Sequence, residues 1–136
     1  MVDGEALGRS RGGLGIKIHL AVDGRGLPMR VLLTGGQAGD NPQLLPLLDG
    51  IRVARTGAGR AWIRPALLIA DKAYSHPSTR SALRRRQVRF VSPKHPDQIA
   101  HRAAKGSRGG RPPAFDRDVY QLFFARLLPE PRACGE

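Results

Sequence analysis

The segment from Pro65 to Asp71 most narrows what this chain can become. Ala66, Leu67, Leu68, Ile69 and Ala70 form an unbroken apolar run, opened by a proline and closed by an aspartate. A run this short reads as a strand, and without polar alternation it should be covered on both faces, as in a parallel sheet. Pro77 then opens a helix through about Gln87, with Ala82 and Leu83 facing inward and Arg80, Arg84, Arg85 and Arg86 outward. Arg89–Ser92 is the next strand, stopped by Pro93. Strand, helix and strand in that order predict a crossover unit.

Upstream the period changes. Ile16, Ile18, Leu20 and Val22 alternate with Lys17, His19 and Ala21, which is the repeat of a half-buried strand with His19 on its polar face. Asp23–Gly26 is a turn, and Met29–Leu33 completes a hairpin. Pro42 and Pro46 bracket the start of a short or kinked helix carrying Leu44, Leu45, Leu47, Leu48 and Ile51. Residues 52–64 read as a basic loop in which Trp62 is a packing anchor. The whole order predicts an α/β domain. Residues 1–15 are expected as a flexible Gly-rich leader, 16–93 as the core, 94–113 as a basic loop and 114–136 as a C-terminal segment with a short helix at 116–128. The glycines of 8–15 do not make a phosphate loop, because Leu14 stands where that motif needs lysine and no strand precedes it.

Charge points to the partner. Lys and Arg total 23 against 11 Asp and Glu, a formal net charge of +12, so polyanions are attracted by counterion release and steering. Lys17, Lys72, Lys94 and Lys105 are the lysines and the rest are arginines, a bias that also suits GC-rich coding. Arg80, Arg84, Arg85, Arg86, Arg108 and Arg111 are the candidate DNA-backbone contacts, since residues 80–111 hold Asp97 as their one acid. The lone cysteine, Cys134, excludes an internal disulfide. No apolar run approaches the roughly 18 residues of a membrane span. The acidic, Gly-rich start lacks the plan of a signal peptide. A bacterial cytoplasmic, nucleoid-associated protein is expected.

Asp71 is the residue placed for chemistry. Ligand sites in open α/β sheets form at the carboxyl ends of strands, and a carboxylate there suits Mg²⁺ or Mn²⁺; the alternative is that it caps the turn that follows. The segment Ile69–Tyr74 resembles the surroundings of the second catalytic aspartate in the insertion-sequence-5 group of DDE transposases. The likeness extends in order through Glu5–Gly13, Lys17–Gly24, Leu33–Asp40, Lys105–Pro113 and Phe115–Asp116. It implies a ribonuclease H-like catalytic domain, a mixed sheet with flanking helices, in which three carboxylates hold two divalent ions for cleavage and strand transfer at transposon ends.

The same resemblance marks departures. The family's first Asp belongs on a strand upstream of the Gly-rich leader, and neither Asp3 nor the turn residue Asp23 replaces it. Tyr120 stands at the family's helical Tyr, but Phe123 replaces its Arg and Leu127 falls where its Glu belongs; Glu130 is out of register. The expectation is an incomplete, truncated internal piece of such a transposase that keeps Asp71 and is inactive alone. A DNA-binding module that modulates intact transposase subunits, or a decayed reading frame, are the other readings. The absent strand would lie between the hairpin and Leu67–Ala70; the expectation is that these pair directly or that the chain is only partly folded.

Overall fold

The structure, a computed structural model, describes residues 7–127. Asp3, Glu130, Cys134 and the tail from Pro129 lie outside the described residues. The chain is a mixed α/β protein with two separate sheets. Strands β1 (Gly8–Ser10), β2 (Gly13–Val22) and β3 (Pro28–Gly35) form an antiparallel sheet in that order. Strands β4 (Leu67–Ile69) and β5 (Arg89–Val91) form a parallel pair. The helices are α1 (Leu44–Asp49), α2 (Pro77–Arg85), α3 (Pro96–Lys105) and α4 (Arg117–Leu127).

The β2–β3 hairpin forms where alternation predicts it, with Ile18 opposite Leu33 and Leu20 opposite Val31. Its turn is held by the Asp23 carboxylate, which accepts from the amides of Arg25 at 2.8 Å and Leu27 at 2.9 Å. Residues 8–15 are not a loose leader. Arg9 pairs with Leu14 and Ser10 with Gly13, whose φ of 109° only glycine adopts readily. The segment holds too few apolar residues to reveal a strand, because main-chain bonds rather than side-chain burial hold it.

The facing of the hairpin is the reverse of what hydropathy suggests. Ile16, Ile18, Leu20, Val31 and Leu33 are half or more exposed, whereas His19 retains 3% of its surface. A period of two shows that the faces differ, not which one is covered. Here α1 lies on the polar-looking face. There Lys17 donates to the Ala38 carbonyl at 2.7 Å and to Asp40 at 3.0 Å.

Pro46 does not kink α1. It occupies the first turn, whose amides have no partner within a helix in any case. Buried Leu44, Leu48 and Ile51 of this region meet Leu83 of α2 and Val88, and Leu68, Tyr74 and Phe90 close around them. The crossover from β4 through α2 to β5 is as expected: Leu67 pairs with Arg89 and Ile69 with Val91 in parallel register. Helix α2 ends on Gln87 at φ 57°, where the Val88 amide returns to the Leu83 carbonyl at 3.0 Å.

Three expectations need correction. Strand β4 is not sealed on both faces, for Leu67 is 37% exposed. It borders a cavity of about 730 Å³ whose other walls include Leu20–Val22, α1 and α4. The hairpin therefore does not pair with β4; the cavity lies between them. Residues 94–113, expected as a loop, contain α3 and a 3-10 turn at Gly106–Gly109. Helix α3 carries Ile99 as its single large apolar residue, so no apolar stripe announced it. Its signals were local: Pro96 at the first position, Asp97 in the first turn, and Arg102 and Lys105 in the last. Trp62 is not buried. It is 58% exposed, bridged by main chain to Val53, with the Arg55 guanidinium 4.3 Å over its ring. No helix among the described residues is long and apolar enough to cross a membrane.

This facing is open to test. Leu83→Ala, at a fully buried site, should cost about 2–5 kcal/mol, and Ile18→Thr no more than about 0.5 kcal/mol. Urea denaturation followed by circular dichroism compares them, and a large loss in Ile18→Thr would contradict the exposed apolar face.

Candidate functional site around Asp71

Asp71 follows the last ladder bond of the parallel pair, in which the Ala70 amide donates to the Val91 carbonyl at 3.1 Å. Its backbone is extended, at ψ 162°, and a 3-10 turn at Lys72–Tyr74 begins at once. Three bonds fix it. Its Oδ1 accepts from the Lys72 amide at 2.7 Å, and its carbonyl accepts from the Tyr74 amide at 3.0 Å and from the buried Ser92 hydroxyl at 3.0 Å. The carboxylate itself is exposed. Asp71 thus caps the turn through one oxygen and presents the other outward.

The turn is anchored from below. The Tyr74 hydroxyl lies 3.0 Å from Nδ1 of His19, and Nε2 of His19 lies 2.9 Å from the Thr34 hydroxyl. This chain of three side chains ties β2 and β3 to the turn after β4. Burial holds the Tyr74 phenol above its ordinary 10.0, and the charges of Asp40 and Asp71 add to the effect. Nothing in residue spacing foretold the set, because its members meet only through the tertiary fold.

Helix α4 closes the side of the cavity next to Asp71. Asp116 accepts from the Val119 amide at 3.1 Å and pairs with Arg89 at 3.1 Å, which docks the helix start beside β5. Tyr120 packs against Phe115 and Phe124, at 5.4 and 4.6 Å between ring centres. Its phenol is held above 10.0 by burial and, after that, by the charge of Asp71. Helix α4 is therefore brought near Asp71, yet it lines the cavity with Val119, Leu122, Phe123 and Phe124. Asp23 reaches the same cavity, but its carboxyl is held below the usual range by the Leu27 and Arg25 amides, as a turn former's would be.

A divalent ion needs more than this. Mg²⁺ demands a near-octahedral shell of oxygen ligands. Among the described residues no group of three or more His, Cys, Asp or Glu could hold a metal. Asp71 alone does not fit a two-ion centre.

The arginines separate into two kinds. Arg80, expected as a DNA contact, is a structural tie. Its Nε donates to the Ser75 carbonyl at 3.1 Å and a terminal nitrogen to the Ser92 carbonyl at 2.9 Å, while the guanidinium lies 5.2 Å over Phe90. Desolvation lowers its basicity. An amphipathic arginine near a helix start can serve the core as readily as solvent. Arg86 pairs with Asp49 at 2.7 Å, and Arg85 donates to Ser81 at 3.0 Å. Arg84, Arg108 and Arg111 are exposed and carry no ion pair among the described residues.

A mixed α/β unit with a carboxylate at the end of a parallel strand is one frame on which metal-dependent chemistry is built. The family model described as "Transposase DDE domain" matches residues 6–119, and the chain belongs to that family. A protein of Burkholderia cepacia assigned as transposase for insertion sequence element IS402 is 39% identical over 77 residues. That match covers 57% of this chain and 36% of the relative, so the chain spans little more than a third of that protein. No solved structure matches.

Two outcomes follow from the geometry. Tyr74→Phe leaves a buried imidazole nitrogen unpaired and should cost about 1–3 kcal/mol. Because the folded phenol's pKa is raised, the stability tied to it is present below pH 10 and lost as pH rises further; thermal melts at pH 8 and above 10 should show a smaller alkaline loss in Tyr74→Phe. Separately, Arg80→Ala should lower the melting temperature, while Arg84→Ala should leave it nearly unchanged.

Proposed function

We propose that this chain is the part of an insertion-sequence-5-type transposase that contributes Asp71, one of three metal-binding carboxylates, to a ribonuclease H-like site acting on transposon-end DNA. The observation that carries this reading is the position of Asp71 at the carboxyl end of a parallel strand, within a family match spanning residues 6–119. In a complete site the carboxylates would hold Mg²⁺ or Mn²⁺, which activate the attacking oxygen and stabilise the leaving one. That the described residues hold no group of three or more such ligands supports the reading that the chain is inactive alone. Its partners are DNA and intact transposase subunits, in the bacterial cytoplasm at the nucleoid. The slot between β2 and β4, bordered by Leu20–Val22 and Leu67–Asp71, suits an added strand bearing the first carboxylate.

A second reading is a DNA-binding module that modulates intact transposase. It is favoured by Arg84, Arg108 and Arg111, which are exposed and carry no ion pair among the described residues, and by a net charge of +12.

Purified chain incubated with supercoiled plasmid and Mg²⁺ or Mn²⁺ should leave it intact. Nicking that disappears in Asp71→Ala would refute inactivity. DNA affinity that falls steeply with salt supports the binding module, since each phosphate neutralised adds about −0.9 to the log–log slope.

A further inference from the structure

A second cleft, of about 360 Å³, is lined in part by Lys72, the residue after Asp71. Its lining includes Asn41, Lys72, His76, His95, Gln98 and His101. Three of the chain's four histidines thus converge on one hollow; the fourth, His19, is buried in the hydroxyl chain. Among the described residues they form no group of three or more that could hold a metal ion. Their hydrogen bonding is more informative.

His76 and His95 both use Nδ1 as an acceptor. Nδ1 of His76 receives the Ser78 amide at 3.2 Å and lies 2.7 Å from the Ser78 hydroxyl. Nδ1 of His95 receives the Asp97 amide at 3.3 Å. A neutral imidazole whose Nδ1 accepts must carry its proton on Nε2, so both rings have an N–H to give. The Asn41 Oδ1 accepts from Thr79 at 2.9 Å, which leaves its amide nitrogen as a donor. Lys72 has no ion pair and His101 no hydrogen bond among the described residues. The one acid on the rim, Asp97, has 77% of its side chain exposed and lies 3.4 Å from Nδ1 of His95. The cleft therefore gathers several side-chain donors around one lysine, with Asp97 as its one carboxylate. Its natural complement is an anion with several oxygens.

We propose that the cleft formed by Lys72, His76, His95 and His101 holds a backbone phosphate of DNA, one residue along from Asp71. The proposal rests on the DNA reading above and adds the place where a strand would be gripped. Lys72 supplies fixed charge, and the two capped rings supply oriented N–H donors. His101 lines the same cleft and can donate from its ring to a phosphate oxygen.

Fluorescence anisotropy with a labelled DNA duplex tests this on the whole chain at several salt concentrations. Lys72→Gln should weaken binding about tenfold, the effect of one charge-assisted contact, and His101→Ala should weaken it severalfold. Arg25→Gln, in the hairpin turn far along the chain, controls for loss of one charge, and circular dichroism controls for folding. Cleft variants that bind no worse than Arg25→Gln overturn the cleft and leave the DNA reading standing. Wild-type protein that fails to bind DNA at any salt overturns both.

Discussion

A buried imidazole joins the two halves of this protein. His19 sits on the hairpin sheet, and the Tyr74 phenol it meets sits on the turn that follows β4. Among the described residues no main-chain bond joins the two sheets, so their relative position depends on side chains: the His19–Tyr74 contact and the leucines of α1. A polar link inside a low-dielectric interior is strong when complete and costly when broken. Here it is complete on both ring nitrogens. Asp71, three residues before Tyr74, therefore inherits its position from a residue more than fifty positions upstream.

The chemistry available at Asp71 follows from what surrounds it. Its carbonyl is held by the Ser92 hydroxyl and its side chain is exposed. Yet α4 arrives with aromatic and aliphatic groups, and β2 arrives with Leu20 and Val22. A single charge beside an apolar hollow can attract a cation but cannot complete its shell. Membership in the DDE transposase family and the geometry of one carboxylate are thus compatible facts with different weight. The first describes the family, the second what these residues do by themselves.

Much of the fold was legible because local rules acted without competition. The apolar run ending at Asp71, Pro77 at a helix start and the alternation from Ile16 to Val22 each name one structure. What remained hidden was of two kinds. Helix α3 and strand β1 are held by caps and main-chain bonds and bury little, so hydropathy is silent about them. The orientation of surfaces is a tertiary property: Arg80 turns to two carbonyls and His19 turns inward, although each occupies a position that periodicity assigns to solvent. The surroundings of Asp71 were therefore found through Asp71 itself but not through Thr34 or Ser92, whose roles depend on contacts far apart in sequence.

The outward apolar face of the hairpin has a cellular meaning. Ile16, Ile18, Leu20, Val31 and Leu33 lie together on one surface, next to strand edges that have no neighbour among the described residues. Chaperones and proteases sort newly made chains by such surfaces, and unpaired strands invite sticking between copies. Unless something covers that face, the time this polypeptide persists after synthesis, more than any affinity of its arginines, sets how much of it a cell ever holds.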